Sequence, residues 1–302
     1  MAHEHNHSHG VSNSTAGRLI ATIILNFITS AAEIAGGIIS GSLSLISDAL
    51  HNLSDGAAVI ISLIALKLTK KDISFKHTFG LKRAEILAAL INASVLIGIY
   101  LFLLYEAVKR FYTPVKIEPE MMTIVAVIGL FMNIAGTLLL KKDSAESINI
   151  RSSYLHLLSD TVASVAVIAG GAAIYFWQAY WVDPVLTILI GAYIIKESYS
   201  ILMEAVHILM EGAPLNVSIT EIQKEVEQFK EVANIHHVHL WSIGDNDIHL
   251  EAHVDIEDMT ISQSGELRDK IEKALGEKFG INHITLQFEC NTCSENGLLG
   301  MH

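Results

Sequence analysis

Two histidine–aspartate pairs share one spacing: His51 with Asp55, and His156 with Asp160. Positions i and i+4 of an α-helix lie on one face, so each pair would present an imidazole and a carboxylate from a single stripe. Facing each other, the pairs make a set of two imidazoles and two carboxylates that suits tetrahedral Zn2+. Zn2+, Cd2+ and Co2+ all accept such a set, whereas two imidazoles disfavour Mg2+ and Ca2+. Asp48, three residues before His51 on the same face, reads in two ways. It either backs the ligands or lines the way in, or it caps the start of the helix.

The elements that carry these residues are apolar enough to lie in a membrane. Of 302 residues 51% are apolar, and the mean hydropathy is +0.43. The apolar residues cluster into six runs at about 18–39, 43–68, 84–107, 121–140, 154–175 and 182–209, each near the length needed to cross a hydrocarbon layer about 30 Å thick. The first run lacks the flanks of a signal peptide and reads as a retained span. One Asp in mid-span costs about 2.5–3.5 kcal/mol on insertion scales, and such residues usually mark ion pathways. A lone polar residue can instead serve as a helix–helix hydrogen bond, but two matched pairs fit that role poorly.

Lys and Arg in the short loops set the orientation. Lys67, Lys70, Lys71, Lys76, Lys82 and Arg83 follow the second run, and Lys141, Lys142 and Arg151 follow the fourth. These loops, and with them both termini, are expected in the cytoplasm. The second and fifth spans then run in opposite directions, which sets His51 level with Asp160 and Asp55 level with His156. Asn26, Glu33 and Asn133 could line a water-filled cavity, although Glu33, near the end of its span, could simply reach water. Gly36 and Gly37 are expected to permit close helix packing, and His207 to lie at the cytoplasmic interface.

Beyond residue 210 the pattern is that of a soluble domain. Helical periodicity over 218–230 is followed by the alternating stretches IHHVHLWSI and IHLEAHVDI, an amphipathic helix over 264–279 and a third strand, INHITLQFE. Ser218 or Thr220 is the expected cap of the first helix. The order αββαβ predicts a small α+β domain with an antiparallel sheet on two helices. The fold class is therefore a membrane all-α six-helix transmembrane domain plus an α+β cytoplasmic C-terminal domain. Its expected divisions are a histidine-rich disordered tail at 1–15, a transport-type domain at 16–210, a metal-binding and dimerisation domain at 211–293 and a disordered tail at 294–302.

From Glu211 onward there are 17 acidic and 6 basic residues. That surface would repel nucleic acid and attract cations. Two cysteines, Cys290 and Cys293, exclude a secreted disulfide framework. Their C-x-x-C spacing fits a metal site or a reduced thiol pair with no structural role. Strand alternation places His237 and His239 on one face and His236 on the other. The first ten residues space His3, His5, His7 and His9 two apart, a loose metal-collecting arm expected to be dispensable.

The stretches SLSLISDALHNLSD, TFGLKRAEILAALINA, YLHLLSD, ILMEGAP and VHLWSI resemble the cation diffusion facilitators over nearly the whole chain. The paired H-x-x-x-D motifs are similar to the zinc-type subgroup, most of all to bacterial cobalt–zinc–cadmium resistance exporters. The resemblance implies a homodimer, and the compact length suggests a bacterial inner membrane. The resemblance also implies export of Zn2+ in exchange for protons, and a ferredoxin-like, metallochaperone-like cytoplasmic domain. The transport site maps onto His51, Asp55, His156 and Asp160. His236, His253 and Glu289 fall where relatives bind metal between subunits, with His283 nearby and Cys290 and Cys293 just beyond. That second metal would act as a regulatory ligand. Arg83 and Glu211 match a charge pair that ties the two parts together, although Arg83 also reads as an interfacial residue beside lipid headgroups. A further loop site would need two histidines; here His77 matches the first and Leu81 stands at the second, so His77 reads as a solvated loop residue.

Two other readings compete. An intramembrane zinc hydrolase would need an open coordination position and has no H-E-x-x-H helix here. A membrane metal sensor signalling through its cytoplasmic domain would not need a metal site halfway across the bilayer.

Overall fold

The computed structural model describes the backbone of residues 13–69, 73–141, 148–244, 247–290 and 297–299. Side chains at 13–22, 59, 62, 63, 66, 139–141 and 148–157 lie outside that description. So do the histidine-rich arm, the His156 side chain, Cys293 and most of the C-terminal tail.

Six long helices come first: α1 (Asn13–Ser40), α2 (Leu43–Thr69), α3 (Ala84–Tyr112), α4 (Pro119–Lys141), α5 (Ile148–Trp177) and α6 (Val182–Leu209). Five of them contain apolar stretches long enough to cross a membrane, and α2 is the exception among the described residues. Asp48, His51, Asn52 and Asp55 all fall on α2. Large apolar side chains such as Ile38, Phe102 and Phe131 point outward, as a lipid-facing surface requires. The chain divides into two compact units: Met1–Ile61 with Asn92–Ser200, and Ser62–Ile91 with Ile201–His302.

In the first unit α4 packs on both α1 and α5. Gly36 permits the α1 contact, because a Cβ there would meet Val125 Cγ2 at 2.6 Å. The start of α2 is fixed by a buried carboxylate that the sequence did not single out. Asp183, on the first turn of α6, accepts from the backbone N–H groups of Leu43 at 2.9 Å and Ser44 at 3.0 Å. It also accepts from the Ser42 and Ser44 hydroxyls, both at 2.6 Å. Ser42 Oγ in turn accepts from Leu45 N at 3.1 Å, as a helix cap does. A negative charge here also complements the positive end of the helix dipole. Arg110 Nη1 lies 3.6 Å from Asp183 Oδ2 and balances the charge. One turn further, Tyr100 donates its hydroxyl to the Ser47 carbonyl at 2.6 Å.

The second unit contains α7 (Ile219–Val226), β1 (Val232–Gly244), β2 (Asp247–Ile256), α8 (Ile261–Phe279) and β3 (Ile281–Glu289). The expected αββαβ order holds. The sheet, however, is mixed rather than antiparallel: β1 pairs antiparallel with β2, and β2 pairs parallel with β3. The reason is α8, a crossover that returns the chain to the end of the sheet where β2 began. Ile222, Val226, Leu250, Val254, Leu267, Ile271 and Leu275 fill the space between helices and sheet. α8 starts three residues earlier than its periodicity predicts, because Thr260 and Gln263 form a reciprocal capping box. Ser218 precedes α7, but its side chain makes no cap bond. Two residues of the tail expected to be disordered lie against β1, with the Gly297 and Leu298 carbonyls accepting from His237 N and Val238 N.

Replacing Asp183 with Ala would strand Arg110, two serine hydroxyls and the first N–H groups of α2. Removing one partner of a buried pair costs about 3–5 kcal/mol. Asp183→Ala should therefore lower the thermal denaturation midpoint of the detergent-purified protein well below that of a surface control such as Lys273→Ala.

Candidate metal centres

α2 and α5 bring three of the four expected intramembrane ligands together. His51 Nδ1 lies 3.3 Å from Asp55 Oδ2 on its own helix, and His51 Nε2 lies 3.7 Å from Asp160 Oδ1 on α5. The fourth, His156, falls one turn before Asp160 on the same helix, with its side chain outside the described residues. The side chain of Asp160 is 1% exposed, against 18% for His51 and 30% for Asp55. The centre thus grades from a sealed side on α5 to a more open side on α2.

Asp48 does not cap α2, since Ser42 and Asp183 do that. It turns inward, where Ser164 Oγ donates to its Oδ2 at 3.3 Å and Asn133 Nδ2 donates to Ser164 Oγ at 3.2 Å. This chain of bonds joins α2, α4 and α5 immediately behind the ligands.

The histidines of the second unit form a second cluster, with a membership that strand alternation did not foresee. The ligand nitrogens of His236, His237 and His253 lie within 4.8 Å of one another. His236 pairs with His253 across the sheet and His239 with Glu251, so β1 advances three residues where β2 advances two. The extra residue is a β-bulge. His237 carries it with a φ of 49°, and its ring centroid comes within 5.2 Å of His236 and 5.0 Å of His253. The expectation that His237 shares a face with His239, away from His236, is therefore overturned by the bulge.

Glu289, at the end of β3, closes this cluster. Its Oε1 is 2.9 Å from His253 Nδ1 and its Oε2 is 3.4 Å from His236 Nε2. Asn234 Oδ1 lies 2.8 Å from His236 Nδ1, which holds the ring and leaves Nε2 to face the cluster. Three imidazoles and a carboxylate are a donor set that fits Zn2+.

His283 does not belong to this group. It lies near the start of β3, six residues before Glu289 or about 20 Å along a strand. There it stands opposite His249, with ring centroids 4.8 Å apart. Phe79 packs its ring against both. Cys290 follows Glu289 and is exposed, and Cys293 lies outside the described residues. Arg83 Nη2 donates to Glu211 Oε1 at 3.0 Å, but both side chains reach solvent and the bond contributes little to stability. Lys82 pairs with Asp247 beside it. His77 is exposed in a turn closed by backbone bonds with Ser74, and lines a cavity of about 810 Å³ with His239 and Glu251. His207 closes the end of α6 on the Ala213 carbonyl at 2.8 Å.

Residues 19–210 match the family model described as the cation efflux transmembrane domain, and residues 214–290 match the cation efflux protein cytoplasmic domain. A cadmium, cobalt and zinc/H(+)-K(+) antiporter of Bacillus velezensis is 38% identical over 96% of this chain and 92% of its own length. The metal cation efflux system protein CzcD of Cupriavidus metallidurans is 35% identical over 98% of this chain and 92% of its own. The zinc transporter ZitB of Escherichia coli is 35% identical over 97% and 94%.

The bulge makes a selective prediction. In a chain whose α2–α5 centre is disabled by Asp160→Ala, zinc titrated calorimetrically into the purified protein should bind more weakly after His237→Ala, as after His236→Ala. His239→Ala should leave binding unchanged.

His249 gives a pH prediction. Burial pulls its imidazole below the ordinary histidine value; Asp247 opposes this, while His283 and Lys82 reinforce it. The unfolded chain then takes up the proton first, so stability is intact above the unfolded value of about 6.5 and is lost as pH falls from there through the lower folded value. Acidification should lower the denaturation midpoint of the natural protein more than that of His249→Gln.

Proposed function

This chain belongs to the cation efflux family, and from that premise we propose that it exports cytosolic Zn2+, and Cd2+ and Co2+ with it, in exchange for protons. The observation that carries the reading is the meeting of His51 and Asp55 on α2 with Asp160 on α5. His156 completes the transport site, and six spans surround it. The relatives named as zinc transporter and as zinc/H(+)-K(+) antiporter support both the cargo and the counter-ion. The family is one of cation efflux transporters, so the hydrolase reading falls away, and no observation favours the sensor.

A ligating histidine must be neutral, so Zn2+ and a proton compete for the same ring nitrogen. On the more acidic side protonation drives the metal off, and on the cytosolic side the metal wins. Rocking of helices about a fixed midplane site would expose it to each side in turn. Residues 16–210 form the transport domain in this reading, with the arm at 1–15 collecting metal in the cytosol and 294–302 a disordered tail.

Residues 211–293 form a ferredoxin-like cytoplasmic domain that pairs with a second copy, making a homodimer. Metal at His236, His237, His253 and Glu289 favours the transport-competent arrangement. Arg83 and Glu211 couple this domain to the spans. The protein resides in the bacterial inner membrane with both termini in the cytoplasm.

The test is zinc flux in proteoliposomes under an imposed pH gradient. The natural protein should move zinc along the gradient, and Asp55→Ala should abolish that flux while leaving the helical circular dichroism intact. Equal flux from both proteins would remove the site from the reading.

A further inference from the structure

Consecutive N–H groups of a regular strand point to opposite edges. At the bulge of β1 they do not. His237 N donates to the Gly297 carbonyl at 3.3 Å, and the next group, Val238 N, donates to the Leu298 carbonyl at 2.9 Å. Both face the outer edge of the sheet, since β2 lies on the other side of β1. The φ of 49° at His237 turns them to one side. A residue with a Cβ holds such a left-handed φ only where its surroundings fix it. Two backbone bonds from Gly297 and Leu298 do so here. Their segment is itself anchored, because the Leu298 side chain packs against the apolar core that contains Val238 and Leu240.

The bulge matters to one donor of the histidine cluster above all. His236 is held by Asn234 and stands level with His253 in the pairing of β1 with β2. Glu289 arrives at the end of β3. None of these three placements needs the extra residue. His237 does: in an unbroken strand its side chain would point to the face opposite His236. With the bulge its ring centroid comes within 5.2 Å of His236 and 5.0 Å of His253. Glu289 and Gly297 are eight residues apart in the chain. The chain thus leaves β3 at one donor and reaches the outer edge of β1 at the backbone of another.

We infer that Gly297 and Leu298 form a positioning strap for the third imidazole, an inference that rests on the reading of this cluster as a zinc site. Docked on β1, the strap fixes the bulge and completes the donor set. Released, it leaves His236, His253 and Glu289 without His237. The strap supplies no ligand in this arrangement; it acts through the imidazole it places. The coupling is reciprocal: whatever factor docking adds to zinc affinity, zinc adds to docking. Metal binding in this domain is thereby tied to the order of a segment on the sheet's outer edge.

The experiment titrates zinc calorimetrically into the full-length protein carrying Asp160→Ala, and the binding lost on His236→Ala identifies the share of the cluster. Ending the chain at Asn296 should weaken that share about 10–100-fold, the range for groups that orient a metal's ligands. Leu298→Met, which keeps the apolar anchor, should leave it unchanged. Adding the truncation to His237→Ala should weaken binding no further, since both changes remove the same imidazole. Effects that multiply would show a strap that merely steadies the sheet and would overturn the inference, as would a truncated chain that binds zinc like its parent. If His236→Ala removes no binding, the zinc reading of the cluster falls and the role of the strap falls with it. If the truncated chain does not fold, amide hydrogen exchange in the untruncated protein decides. Zinc should slow exchange across His237 and Val238, and His237→Ala should abolish the slowing at Val238. Exchange indifferent to zinc, or slowed equally in His237→Ala, overturns the assignment.

Discussion

Everything in the membrane-embedded part depends on where α2 begins, and Asp183 fixes that point. Two backbone N–H groups, two serine hydroxyls and one arginine converge on a single buried carboxylate. In an apolar surrounding none of these groups has water as an alternative partner, so the set assembles whole or not at all. Because α2 is rigid, its rise of about 1.5 Å per residue then sets the depth of Asp48, His51 and Asp55. The ligands are positioned by an anchor two turns away that never touches the metal.

The two histidine–aspartate pairs were legible in the sequence because helical spacing maps one-to-one onto a helix face. The boundaries of β2 and β3 were equally legible from alternation. Asp183 was not, since it lies 140 residues from its partners and a carboxylate at the start of an apolar helix reads as an ordinary first-turn acid. Glu33, which is buried, was misjudged for a related reason: distance from a span end predicts water only if nothing packs over the side chain, and α4 does.

The cytoplasmic sheet shows how one inserted residue redirects chemistry. Alternation alone separates His236 from His237; the bulge places both beside His253. The sign for it was weak, a doubled histidine in a strand with no glycine to mark the irregular turn. The β2–β3 pairing was missed because strand order was inferred without asking where α8 must deliver the chain. That same parallel pairing carries His283 to the far end from Glu289, so neighbours in a short sequence window became opposite ends of one sheet.

The docking of Gly297 and Leu298 on β1 bears on how the protein avoids sticking to itself. β1 is an edge strand, and an open edge is a template for pairing with any other extended chain. Gly297 and Leu298 blunt it beside the bulge, a safeguard supplied from within the same chain. An extended strand of another molecule would have to displace Leu298 from the Val238 N–H before it could pair there.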